Sequence, residues 1–190
     1  MAEQFYIRDT APTVANPYYR HVSFGGYNRC IIRDETNGFV LPNCVGYAYG
    51  RFMEAAGITS CNLPTTNAST WIYTPGYSTG SVPKLGAIVC YGGGNYGGAG
   101  HVCVVEQINP DGSCICSESN YSGEIFQMRQ IPGNYEIGYG LYFQGFIYNP
   151  VDFDPDTPIP GPVDPDPPYE PRKRIWRFSA KILHRRRRGL

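Results

Sequence analysis

Cys44 and His101 are the residues of this chain best suited to do chemistry together. Cys44 opens an apolar helical pattern and His101 opens a strand pattern. The chain has three histidines, His21, His101 and His184, and only His101 lies in a core-like segment with acidic and amide side chains close by. Glu118 and Asn120 end the next strand pattern. A thiol, a base and an orienting carboxylate are the minimal parts of a cysteine amide hydrolase. The base takes the thiol proton, and the carboxylate fixes the imidazole tautomer and steadies the imidazolium.

These residues need a scaffold, and the pattern supplies one. Pro42-Asn43 precedes a helical repeat from Cys44 to Ala56, with Val45, Ala48, Tyr49, Phe52 and Ala56 on one face and Gly57 as the stop. Cys44 thus falls in a first helical turn, where free N–H groups and the helix dipole favour thiolate. Its own N–H is a candidate oxyanion donor. A short second helix is expected near Asn67–Trp71. Strands are expected at 86–91, 101–108, 113–118, 124–130 and 139–148, separated by glycine-rich or Asn-Pro-Asp-Gly turns. One helix ahead of a run of antiparallel strands indicates an α+β domain.

The turn Asn109-Pro110-Asp111-Gly112 fixes which side chains share a face. A two- or four-residue loop centred there places His101 opposite Asn120 and Cys103 opposite Glu118. Glu118 then becomes the diagonal neighbour of His101 on one face, and either Glu118 or Asn120 can hold a ring nitrogen while the other nitrogen faces Cys44. An odd loop would break this match.

Composition bounds the rest. At 190 residues the chain suits one domain plus a tail. Its 16 tyrosines and 23 glycines, against 17% charged residues, suit a strand-and-loop protein with an aromatic, polar surface. The net charge of zero hides an asymmetry: residues 1–149 are mildly acidic, the run from Pro150 to Pro171 is acidic and proline-dense, and 172–190 is strongly basic. We expect a body at 1–149 with an N-terminal arm, an extended Asp/Pro spacer at 150–171, and a cationic amphipathic tail at 172–190. Arg172 to Arg188 would attach the body to an anionic envelope polymer or a virion protein, without specific nucleic-acid recognition. The seven cysteines and the polar start at Met1-Ala2-Glu3-Gln4 favour synthesis in a reducing cytoplasm without a signal peptide.

Other signals are weaker. Gly92, Gly94 and Gly97 spell GxGxxG, but a strand rather than a helix follows, so no dinucleotide site is expected. Cys114-Ile115-Cys116 lacks the second ligand pair of a zinc site, and no metal is assigned. Among the tyrosines near these motifs, Tyr96, Tyr47 and Tyr121 are candidate substrate contacts lining a groove.

The segments Asn43-Cys44-Val45-Gly46-Tyr47, Gly100-His101-Val102 and Glu118-Ser119-Asn120 occur in the order seen in one family. Together they resemble the CHAP (cysteine- and histidine-dependent amidohydrolase/peptidase) domains of phage lysins and bacterial cell-wall hydrolases. The likeness covers about residues 38–148. It implies a papain-like fold, an N-terminal helix packed on a twisted antiparallel sheet. It also implies Cys44 as nucleophile, His101 as base then acid, Glu118 as orienting acid and Asn120 as supporting fourth member. The implied substrate is peptidoglycan, cut at the muramoyl-alanine amide or within the peptide by an endolysin or virion-associated lysin acting on the cell wall. Some members bind calcium upstream of the cysteine. Asp34, Glu35 and Asn37 could be a remnant of such a loop but match it poorly in spacing, so no cofactor is expected, with calcium as the alternative. Two rivals are a papain-like peptidase of a non-wall substrate and a non-catalytic wall-binding or structural phage protein.

Overall fold

The computed structural model describes residues 2–20, 38–95, 97–121, 123–154, 159–160 and 164. In chain order the elements are β1 (Tyr6–Ile7), a 3₁₀ turn at Pro17–Tyr19, α1 (Cys44–Ala56) and a 3₁₀ helix at Ala68–Tyr73. Then follow β2 (Thr79–Gly80), β3 (Ile88–Gly93), β4 (His101–Ile108), β5 (Cys114–Glu118), β6 (Gln127–Ile131), β7 (Leu141–Ile147) and β8 (Ile159–Pro160). Six strands form one antiparallel sheet in the order β2-β7-β3-β4-β5-β6, and α1 packs on it, the α+β architecture expected.

Strand alternation sends side chains to two cores. Ile88, Cys90, Val102 and Val104 face α1 and meet Tyr47, Phe52 and Trp71. Val89, Tyr91, Cys103 and Val105 face the other way and pack with Cys116, Ile131 and Phe146. This period of two is the direct consequence of the strand pleat.

Helix α1 starts and stops where its sequence says. The Asn43 side chain accepts a hydrogen bond from the Gly46 N–H at 3.0 Å, a standard N-cap. Gly57 ends the helix in the left-handed region (φ 63°), and its N–H donates to the Glu54 carbonyl at 3.2 Å. The helix is buried on more than the one face its periodicity indicated. Residues from Val45 to Met53 are all buried, because segments around Tyr19 and Val40 cover the side away from the sheet. Gly50 permits that approach, since a Cβ there would sit 2.7 Å from the Tyr18 carbonyl oxygen.

The β4–β5 turn differs from the even loop expected. Asn109 N–H donates to the Ser113 carbonyl at 2.8 Å, so the pair flanks a three-residue loop, Pro110-Asp111-Gly112. Ile108 faces Cys114 and Gln107 faces Ile115, one residue out of the expected register. A bulge at Glu106 then restores it: Val105 faces Cys116 and Val104 faces Ser117. Turn and bulge are offsets of one residue each, and beyond the bulge they cancel.

The proline-dense segment is also not wholly a spacer. Asp152 and Asp154 exchange backbone hydrogen bonds with Glu3 at 2.8 and 2.9 Å, Phe153 meets Phe5 edge-on at 5.0 Å, and β8 pairs in parallel with β1. Asp164 accepts from Arg8 (2.5 Å), the Thr13 N–H (2.7 Å) and Asn16 (2.8 Å). Proline removes a donor but leaves carbonyls and side chains free to dock, which is why the run straps onto the N-terminal arm. The cationic tail 172–190 and the trio Asp34, Glu35 and Asn37 lie outside the described residues.

Candidate active site

Cys44 sits where the N-cap places it, on the first turn of α1. The cap is tied to the neighbouring sheet: Asn43 N–H donates to Ser119 Oγ at 3.0 Å, and that hydroxyl donates to the Glu124 carbonyl at 3.0 Å. The start of the helix is therefore anchored to the residue after Glu118. Sequence reasoning did not single out Ser119, although it lies between the two candidate residues Glu118 and Asn120.

His101 begins β4 opposite Tyr91 of β3. The preceding Gly100 (φ 77°) is required by space as well as by conformation. A Cβ there would lie 2.3 Å from the Tyr91 carbonyl oxygen and 2.5 Å from the Ser69 nitrogen. The imidazole is held by Glu118, whose Oε2 is 2.7 Å from Nε2. Glu118 has no solvent exposure. The other ring nitrogen is left for the Cys44 side of the ring.

The electrostatics of the three groups interlock. Burial disfavours the Cys44 thiolate, but hydrogen bonding and charge from His101, with backbone N–H groups of Val102 and Val45, outweigh it and lower the thiol below its ordinary value. Burial likewise opposes the His101 imidazolium, yet Cys44 and Glu118 on its two sides raise it well above the ordinary histidine range. Glu118 is pushed down to about 2: burial works against its charge, and His101 and Arg129 more than offset that. A thiolate beside an imidazolium, backed by a carboxylate, is the charge state these directions describe.

A groove opens beside the imidazole, lined by Gly94, Gly100, His101, Asn120, Arg129 and Tyr139 among others. Asn120 thus shares the groove with His101, while Glu118 takes the ring nitrogen. The tyrosines separate. Tyr121 is 62% exposed just past Asn120. Tyr47 is fully buried, its ring between Tyr19 and Phe126, so it serves the core and does not line a groove. Tyr96 lies outside the described residues. Tyr139, not anticipated, is 70% exposed at a left-handed φ of 58° and lines the groove. Among the described residues no group of three or more His, Cys, Asp or Glu side chains is arranged to hold a metal ion.

A helix-start thiol set against an imidazole–carboxylate pair on an antiparallel sheet defines an α+β protein with the parts of a thiol hydrolase site. Residues 34–120 match the model of the CHAP domain family. Among curated proteins, the chain is 34% identical over 115 residues to a Staphylococcus aureus protein named probable autolysin LDP, covering 57% of this chain and 39% of that one. It is 31% identical over 110 residues to the S. aureus N-acetylmuramoyl-L-alanine amidase sle1, covering 56% and 32%. The chain thus spans about a third to two fifths of the length of these relatives. Solved structures similar to it include an S. aureus N-acetylmuramoyl-L-alanine amidase (29% identity, TM-score 0.43, 60% of this chain and 34% of that one). Another is Ly7917 (18% identity, TM-score 0.42, 72% and 61%).

Proposed function

We propose that this chain is a peptidoglycan hydrolase that cleaves an amide bond by a Cys44–His101–Glu118 mechanism. The observation that carries the proposal is the buried 2.7 Å His101–Glu118 contact beside a helix-start thiol, within the segment that matches the CHAP domain family. The curated relatives, named as autolysins and muramoyl-alanine amidases, supply the substrate class.

Catalysis begins from the thiolate. The Cys44 sulfur attacks the amide carbonyl carbon, a C–S bond forms, and the oxygen takes up negative charge against N–H groups at the start of α1. His101 gives its proton to the leaving nitrogen as the C–N bond breaks, leaving a thioester. A water molecule, deprotonated by the now neutral imidazole, attacks the thioester and releases the carboxylic product and the thiolate. Glu118 stays ionised throughout and keeps the ring oriented, and Asn120 borders the groove beside the imidazole. Tyr139, which lines the groove, and Tyr121, exposed just past Asn120, offer rings for substrate contact.

The setting we favour is a lysin of phage origin acting on the cell wall, supported by the family resemblance; a bacterial autolysin would use the same bond chemistry. Cys44→Ala is expected to lower clearing of purified peptidoglycan by about 10³-fold or more. Retention of full clearing by that variant sinks the mechanism. Mass spectrometry of the released fragments decides between the muramoyl-alanine amide and a peptide bond, and no new fragment from the wild type removes the wall substrate.

A further inference from the structure

Glu118 presents its two oxygens to different partners. Oε2 faces His101, and Oε1 accepts from Arg129 through Nε and Nη2, both at 2.7 Å, and from the Gln127 amide. Gln127 lies opposite Glu118 in the β5–β6 register, and Arg129 lies two residues on, opposite Cys116. Alternate residues of the edge strand thus converge on the carboxylate that holds the imidazole. Arg129 also lines the groove with His101 and Asn120.

Resting on the hydrolase reading above, we propose that Arg129 is a positioning residue: it anchors Glu118 from the edge strand and, through its fixed charge, sets the pH window of the Cys44–His101 pair. A buried carboxylate with one partner can swing about its terminal torsion. Donors locked onto Oε1 leave Oε2 aimed at the ring. The guanidinium stays charged at every working pH, so this restraint does not titrate. Its charge also offsets part of the Glu118 charge felt by His101. An imidazolium that holds its proton too tightly is a poor acid for the leaving amine.

The other titratable groups facing this cluster are Cys44 from α1, Tyr91 from β3, Cys103 from β4, Cys116 from β5 and Tyr139 from the loop before β7. Among these described neighbours, Arg129 is the permanent cation. Removing it leaves Glu118 uncompensated, which favours protonated forms of both His101 and Cys44.

The test uses the full chain and two readouts: iodoacetamide alkylation at Cys44 against pH, followed on the Cys44 peptide by mass spectrometry, and kcat/KM on peptidoglycan. Arg129→Gln is expected to move the alkylation midpoint upward by about 1 unit. It should lower kcat about tenfold with KM within about twofold. Arg129→Lys keeps the charge and should hold the midpoint within about 0.3 unit while recovering part of kcat. A folded Gln variant with an unmoved midpoint overturns the proposal. If the Gln variant does not fold, the Lys variant decides alone, and a full-unit shift there overturns it. Alkylation needs no wall substrate, so a wild type that leaves peptidoglycan uncut removes the hydrolase reading while the Arg129 effect on Cys44 is still measured.

Discussion

Two fully buried glutamates sit on the same hairpin, Glu106 on β4 and Glu118 at the end of β5, and their partners give them different properties. Glu106 accepts from Arg51 Nε and Nη2 at 2.7 and 2.8 Å, the Ser117 hydroxyl at 2.6 Å and the Arg8 N–H at 3.0 Å. Arg51 reaches on to Glu54 at 3.1 Å, and Glu54 in turn binds Arg8, Asn16 and Tyr19. Every cation in that cluster is an arginine, which does not give up its proton, so the cluster binds arm, helix and bulge together and nothing more. Glu118 instead faces a histidine with a thiol on its far side. A buried carboxylate becomes chemical when one partner can exchange a proton and a second side of that partner is open.

The strongest way to break this contrast is at Arg51. Arg51→Ala strands Glu106 without its main cation and should lower stability by about 3–5 kcal/mol, read as a fall in denaturant midpoint. Molecules still folded should keep Cys44 alkylation close to wild type, and loss of thiol reactivity at unchanged stability would invert the assignment of the two clusters. Glu118→Gln should do the opposite. We expect kcat/KM to fall about 10²-fold or more, because the amide can present its NH₂ to the ring and no longer steadies the imidazolium. Stability at neutral pH should change less than in Arg51→Ala.

The pH dependence of stability sharpens the comparison. The Glu118 carboxyl is depressed from 4.5 to about 2, so it stabilises the fold above pH 4.5 and that contribution is lost as pH falls from 4.5 towards 2. The difference in unfolding free energy between wild type and Glu118→Gln should therefore be flat only between about pH 4.5 and 6.5: it shrinks below 4.5 as Glu118 protonates, and it shrinks again above 6.5, where the share of the raised His101 that Glu118 supports is lost as the ring deprotonates. Glu54, also depressed against the cost of burial by Arg8 and Arg51, titrates in both proteins and cancels in the difference. A difference that grows as pH falls below 4.5 would contradict the ion-pair state of Glu118. The smallest effect expected is that of Asn43→Ala, which removes the cap to Gly46 and should cost about 1 kcal/mol in thermal unfolding. Its N–H bond to Ser119 is backbone and survives, so Cys44 should remain reactive.

Much of the site's framework was readable in one dimension because it is local. Helix α1 announces itself through Asn43, the apolar repeat and Gly57, and β4 and β5 through alternation on either side of Asn109-Pro110-Asp111-Gly112. The face shared by His101 and Glu118 was expected from an even turn. It arises instead from an odd turn and the bulge at Glu106, whose carboxylate pairs with Arg51 fifty-five residues earlier in the chain, a partner no local pattern announces. Tyr47 misled for a similar reason: its neighbours in sequence lie near the site, but its ring points into the core. Arg129 and Gln127 alternate on one strand, a signal that acquires meaning only once β6 is paired with β5. The short strands β1 and β8 have too few residues for any period.

The sequence alone determined the α+β class, the helix that begins at Cys44 and the identity of the residues able to do thiol chemistry, since propensity, capping and periodicity act over a few residues. Tertiary structure decided which groups meet. It set the register that joins Glu118 to His101, the edge-strand anchor at Arg129, the burial of Tyr47 and the return of the proline-rich strap to the N-terminal arm. Each depends on desolvation and charge pairing between distant segments, energies that exist only once the chain has packed.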